Sequence, residues 1–97
     1  MLQHGLRRKL KEEYYATKRY HYDSECDILE CVFGNQKNSY GDEEPDNIVL
    51  FRDINTDEIT GVKVIDFKRM YNTNDFRLKF VNQFIDVEKI AKSILYN

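Results

Sequence analysis

An α+β domain, with an antiparallel four-stranded sheet arranged as a meander and a helix at each end, is the fold class this 97-residue sequence predicts. Three observations carry the expectation. Apolar residues recur every four positions near the N-terminus, every two positions through the middle, and at a period near 3.6 toward the C-terminus. Clusters of Asp, Asn, Ser and Gly separate the middle runs. The intervals are short, which favours antiparallel pairing. A chain of this length is expected to form one domain over residues 1–97, burying roughly two thirds of its unfolded surface.

Each element has its own signature. Residues 1–18 read as a helix, with Leu2, Leu6, Leu10 and Tyr14 forming a narrow stripe amid Arg7, Arg8, Lys9 and Lys11. Gly5 costs about 1 kcal/mol in a helix interior, which moves the expected start toward Leu6. From Tyr20 the period becomes two: Tyr20 and Tyr22 alternate with His21, and Asp23-Ser24 signals a turn. A second strand runs from Ile28 to Phe33, with Leu29, Cys31 and Phe33 on one face and Glu30 on the other. Residues 34–45 are polar and read as a long exposed loop. The third strand, Asn47–Arg52, carries the apolar run Ile48–Phe51, which predicts burial on both faces and a central position. After the turn Asp53–Glu58 comes a fourth strand, Ile59–Phe67, with Val62 and Val64 facing one way and Ile65 and Phe67 the other. A helical tail over 74–96 is capped by Asn74 or Asp75 and carries the stripe Phe76, Phe80, Phe84, Val87, Ala91, Ile94 and Leu95. The alternation Phe76-Leu78-Phe80 also fits a strand, but the stripe continues to residue 95 and favours a helix bent near Asp86.

The segments Tyr22-Asp23, Glu25–Cys31, Asn47–Leu50 and Gly61–Ile65 together resemble an uncharacterised bacterial family, domain-of-unknown-function family 2283. The resemblance covers about residues 20–67 and is a pattern of strands and turns rather than of reactive groups. Cys26 stands where the family has Ala, the acidic loop at 34–46 is longer, and the turn Asn55–Glu58 lacks the family's Gly. The resemblance supports the strand-and-turn reading of the middle region and brings no activity with it.

Composition narrows the functional classes. Thirteen Phe and Tyr residues are expected to dominate the core. The longest apolar run is four residues, against about twenty for a membrane-spanning helix, and the N-terminus is too polar for a signal peptide. A cytoplasmic protein without a membrane partner is the expectation. In an extended stretch Cys26 and Cys31 lie about 16 Å apart, beyond disulfide reach, so both are expected as thiols, with Cys31 a small buried apolar residue. The net charge of −2 conceals +4 over residues 1–22, −9 over 23–60 and +3 over 61–97. A middle this acidic repels phosphate, so any nucleic-acid surface falls to the termini.

Candidate chemistry is sparse. Asp23, Glu25 and Asp27 stand at the first, third and fifth places of a calcium-loop pattern, but Ile28 and Gly34 occupy the places that need Gly and Glu. Asp53, Asn55 and Asp57 fail in the same way, with Glu58 and Val64. Both runs read as polar turns held by Asp side chains on their own backbone. His21 has a pKa suited to acid–base work, yet a strand-edge position between two tyrosines accounts for it. No nucleophile elbow, P-loop, dinucleotide fingerprint or zinc-protease motif occurs, so neither an enzyme nor a cofactor is expected. The basic stretch Arg7, Arg8, Lys9 and Lys11 could contact nucleic-acid phosphates, although a solvated helix face explains it as well. The acidic run Asp42, Glu43, Glu44 and Asp46 could dock on a basic protein partner. The expected function is therefore a non-catalytic regulatory module of antitoxin or inhibitor type acting through that acidic surface, with nucleic-acid binding by the basic stretch as the alternative and an uncharacterised enzyme as the third. A sheet with apolar residues on both faces needs cover, and a homodimer is expected to supply it.

Overall fold

The computed structural model describes residues 19–96, so the expected N-terminal helix lies outside the described residues. The described chain is α+β: a five-stranded antiparallel sheet and three helices. Strands β1 (Arg19–Asp23), β2 (Ile28–Val32), β3 (Ser39–Glu43), β4 (Ile48–Asp53) and β5 (Ile59–Ile65) precede helices α1 (Phe67–Asn72), α2 (Arg77–Val81) and α3 (Val87–Leu95). The strand order is β1-β2-β5-β4-β3. Hairpins join β3, β4 and β5 in series, and β2 lies beside β5, which makes these four strands a Greek key rather than the expected meander.

The additional strand is β3, in the segment expected to be a loop. Its sequence, Ser-Tyr-Gly-Asp-Glu, has no apolar alternation because it forms the sheet edge and buries little. Pairing with β4 makes it a strand, in a register that sets Tyr40 against Arg52 and Asp42 against Leu50. Residues 33–38 carry the chain from β2 past the ends of β5 and β4, a step of roughly 14 Å that six residues cover easily. This crossing is tied to Thr60, whose carbonyl accepts from Phe33 N at 2.8 Å, Gly34 N at 3.2 Å and Gln36 Nε2 at 3.3 Å. The Thr60 hydroxyl is buried against Ser39 Oγ at 2.8 Å. Opposite Thr60 the β4–β5 register shifts between Phe51 and Arg52, the mark of a bulge.

The central strand is β5, not β4 as the apolar run suggested. Gly61 sits on it where a Cβ would lie 2.8 Å from the Cys31 carbonyl oxygen and against Gln36 Nε2. Gly61→Ala is therefore expected to cost about 1–3 kcal/mol through overpacking. Because one obstacle is backbone, combining it with Gln36→Ala should restore only part of the loss, read as a shift in urea midpoint at constant slope.

Pleating divides the sheet into two unlike faces. On one, the rows Tyr22-Leu29-Val64-Ile48 and Tyr20-Cys31-Val62-Leu50-Asp42 run across the strands. The helices cover this face with Phe67, Met70, Leu78, Val81, Ile85, Val87, Ile90 and Ala91, and the buried residues form one core cluster. Cys31 is in that core and Cys26 is exposed, both as thiols, as their separation predicted. The other face presents Ile28, Glu30, Val32, Lys63, Ile65, Val49 and Phe51, all outside the core cluster.

The fourth strand was expected to run on to Phe67 with that ring turned away from Val62 and Val64. Instead β5 stops at Ile65, because Asp66 adopts a left-handed conformation (φ 66°) and turns the chain. Phe67 thus joins the same core as Val62 and Val64, fully buried. Its ring meets Tyr22 edge-on and stacks on Tyr71, with both pairs of ring centroids 6.3 Å apart. The tail over 74–96 is likewise two separate helices, α2 and α3, rather than one bent helix, and α1 precedes it. Left-handed Asn74 (φ 54°) breaks the chain after α1, and Phe76, expected on the buried stripe, is 75% exposed. Asp86 begins α3, its carboxylate accepting from Lys89 N at 3.1 Å. Tyrosine hydroxyls fasten that helix: Tyr71 donates to Glu88 at 2.7 Å, Tyr96 to Asn72 at 2.8 Å, and Tyr20 meets Ser93 Oγ at 2.9 Å. No helix among the described residues is long and apolar enough to cross a membrane.

Candidate functional site

The acidic residues singled out in the sequence gather at one corner of the fold. Asp42 and Glu43 end β3, while Glu44 and Asp46 lie in the turn to β4, next to the cis peptide between Glu44 and Pro45. Backbone bonds close this turn, from Glu44 N to Ile48 O at 2.9 Å and from Ile48 N to Pro45 O at 3.0 Å. Asn47 takes a left-handed conformation (φ 72°), which Asn tolerates better than most residues. Glu43 is partly spent on structure, since its carboxylate accepts from Asn47 N at 3.0 Å.

The turn is also anchored to the helical layer. Arg77 at the start of α2 donates to the Asp46 carbonyl at 3.1 Å while gripping Asp75 through two bonds of 2.7 and 2.9 Å. Asn47 Nδ2 donates to Asp66 at 3.1 Å, and Arg69 pairs with the same carboxylate. The Arg77 guanidinium hydrogen-bonded to Asp75 holds that carboxyl down to about 2. A depressed value means the grip contributes stability above the ordinary 3.8 and loses it as the pH falls through about 2. Asp75→Asn is accordingly expected to separate from wild type at pH 5 and to converge with it at the acid limit, measured by urea midpoints across the series.

Asp46 engages only its backbone carbonyl, and its exposed carboxylate has no hydrogen-bond or ion-pair partner among the described residues; the same holds for the exposed carboxylates of Asp42 and Glu44. Asp42 and Glu44 border an open cleft of about 310 Å³ that is also lined by Pro45, Leu50, Arg52 and Phe80. Its lining thus combines three apolar side chains with two carboxylates and one guanidinium. Arg52 also pairs with Asp57 at 3.8 Å, and Tyr40 donates to the same carboxylate at 3.1 Å. The cleft therefore adjoins an edge strand, β3, whose outer backbone groups face away from the sheet. Sequence reasoning found the acidic half of this arrangement and missed Leu50, Arg52 and Phe80. Those three come from a strand and a helix, and nothing short of the β3–β4 register and the docking of α2 brings them together.

The other sequence candidates resolve into structure. Asp23 accepts from Glu25 N and Cys26 N at 3.0 and 3.2 Å, and Asp53 from Asn55 N and Thr56 N at 2.8 and 3.0 Å. Both carboxyls are lowered below the usual range, chiefly by the Cys26 and Thr56 N–H donors respectively. The two runs that only partly match a calcium loop are thus the polar turns expected, each held by its first Asp and completed by a left-handed Asp four residues on, Asp27 and Asp57. No group of three or more His, Cys, Asp or Glu residues suited to a metal occurs among the described residues. His21 is exposed on β1, an edge strand. Arg7, Arg8, Lys9 and Lys11 lie outside the described residues.

Asp27 has a role that the calcium pattern obscured. Its carbonyl accepts from Asp66 N and Phe67 N, and its carboxylate from Lys68 N at 2.7 Å, Arg69 N at 3.2 Å and the Tyr22 hydroxyl at 2.7 Å. It caps α1 from about forty residues away, since Asp66 at the helix start offers no side-chain cap of its own. Burial, and then the bond to Asp27, push the Tyr22 phenol up to about 12.

No protein-family model matches this chain, and neither does any curated protein or solved structure.

Proposed function

We propose that this chain is a non-catalytic regulatory module of antitoxin or inhibitor type that binds a basic protein partner through the acidic corner around β3. The observation that carries the reading is the cleft itself. Asp42 and Glu44 line it together with the apolar side chains of Leu50, Pro45 and Phe80. A Lys or Arg beside an apolar side chain is the partner chemistry such a site suits, with the carboxylates steering approach and the apolar lining slowing release. The net charge of −9 over residues 23–60 extends the attraction beyond the cleft.

Charge reversal separates this reading from nucleic-acid binding by the basic N-terminal stretch. The double variant Asp42→Lys/Glu44→Lys is expected to weaken partner binding at least about tenfold, while Arg7→Glu/Arg8→Glu/Lys9→Glu leaves it within about twofold. Binding lost only in the basic-stretch variant would reverse the assignment. Binding unchanged in both would remove the basis for either surface. Unaltered circular dichroism in the variants serves as the folding control.

A further inference from the structure

Strand β3 is an open edge whose backbone bonding has a fixed sense. Glu44 N donates to Ile48 O at 2.9 Å, and Ile54 N donates to Asn38 O at 2.8 Å. The register between those two bonds turns the backbone groups of Tyr40 and Asp42 inward to β4, and those of Ser39, Gly41 and Glu43 outward. Ser39 N folds back onto Gln36 O at 3.3 Å, but no strand lies beyond Gly41 and Glu43 among the described residues. Both are exposed. Such an edge is a template for another extended chain.

The side chains along this edge select the occupant. Asp42 and Glu44 line the cleft on the helical face of the sheet. On the opposite face Gly41 leaves a shallow place beside the half-buried Val49 and Phe51, where a Cβ would come within 3.0 and 3.2 Å of those side chains. A strand laid along β3 therefore meets carboxylates at alternate positions on one face and an apolar step on the other. A second copy of β3 would set Asp42, Glu43 and Glu44 against the same charges, which disfavours it as the occupant. Resting on the acidic corner as the binding surface, we propose that the partner enters it as an extended basic segment that adds to β3 as a further antiparallel strand. Its Lys or Arg side chains stand opposite Asp42 and Glu44, a β-branched side chain opposite Gly41 covers Val49 and Phe51, and its backbone exchanges hydrogen bonds with Gly41 and Glu43.

Titration of the full-length protein with the peptide acetyl-Lys-Val-Lys-Val-Thr-Val-amide, followed by amide resonances, tests this. Its antiparallel register puts the lysines opposite Glu44 and Asp42 and the second valine opposite Gly41. The Gly41 and Glu43 amides are expected to shift and to exchange more slowly, while those of Tyr40 and Asp42, already turned to β4, change little. N-methylation of the valines removes the N–H groups that face β3 and should weaken binding at least about tenfold. N-methylation of the second lysine and the threonine, whose N–H groups face solvent, should leave it within about threefold. If the two N-methylated peptides bind alike, the added strand is wrong; binding that is still lost in Asp42→Lys/Glu44→Lys would then leave the acidic cleft standing without it. Dependence on the valine N–H groups with indifference to Asp42 and Glu44 would keep the added strand and remove the acidic-cleft reading instead. Unmoved Gly41 and Glu43 amides at saturating peptide overturn the proposal.

Discussion

Phe67→Ala is expected to be among the most damaging single changes in this chain, at about 3–5 kcal/mol, the range for deleting a buried aromatic ring. Phe67 is fully buried where the turn at Asp66 drops the chain from the sheet into the helical layer, so its ring touches both layers. Tyr22 on β1 and Tyr71 on α1 both pack against it. The void left by alanine cannot close easily, because Leu29, Val64 and Met70 around the core are themselves fully or almost fully buried. Domains of this size are stable by about 5–15 kcal/mol, so the variant should lose a large part of its margin. Equilibrium urea unfolding measures it directly: a midpoint lowered by roughly a fifth or more at unchanged slope is the expected result, and a loss below about 1 kcal/mol would mean that the ring is not the link between layers described above.

The second large effect is expected at Asp27. Asp27→Ala removes acceptors from Lys68 N, Arg69 N and the Tyr22 hydroxyl together, and places a less tolerant residue at φ 57°. Loss of a helix cap costs about 0.5–2 kcal/mol, and the orphaned half-buried phenol adds to it, so a total near 2–3 kcal/mol is expected. In thermal unfolding this corresponds to a fall of about 10–20 °C for a domain of this size. Asp27→Asn keeps the left-handed preference and one acceptor and should recover about half of the loss. Tyr22→Phe deletes one of the three bonds and should fall between Asn and wild type. If alanine and asparagine proved equally harmless, the remote cap would carry no weight in holding α1 to the β1–β2 turn.

These two residues also mark where sequence reading succeeds and where it stops. Period and turn chemistry were enough for β2, β4 and most of β5, since Leu29, Cys31, Val62 and Val64 alternate as a half-buried strand must. The Asp23 and Asp53 turns were legible for the same reason: a short Asp side chain bonding its own backbone is a local event. What escaped was decided by contacts remote in sequence. Strand β3 has no hydrophobic pattern, because an edge strand is held by backbone pairing and its charges keep the edge from pairing with a second copy. The break at Asp66 escaped because a left-handed Asp leaves no trace in hydrophobic periodicity. The tail's stripe suggested one helix, yet the chain turns between Val81 and Val87, where Asp86 caps a new helix, and Phe76 ahead of α2 is left in solvent.

The candidate site divides along the same line. Asp42 and Glu44 were legible as a charge run, and their local excess is a property of composition alone. That Leu50, Arg52 and Phe80 sit beside them is a property of register and helix docking. Glu43 and Asp46 show the converse. Both belong to the acidic run, but the Glu43 carboxylate closes the turn and the Asp46 charge acts on Arg77, adding to its hydrogen bond with Asp75, so charge reversal there would mix binding with stability. Asp42 and Glu44 are consequently the cleaner pair to change.

The most direct test of an acidic cleft that binds a basic protein is co-purification with the tagged full chain, with and without nuclease and over a salt series. The account predicts a stoichiometric protein partner that survives nuclease, weakens as salt rises, and is lost with Asp42→Lys/Glu44→Lys. Recovery of nucleic acid that nuclease removes, with binding indifferent to Asp42 and Glu44, would contradict it.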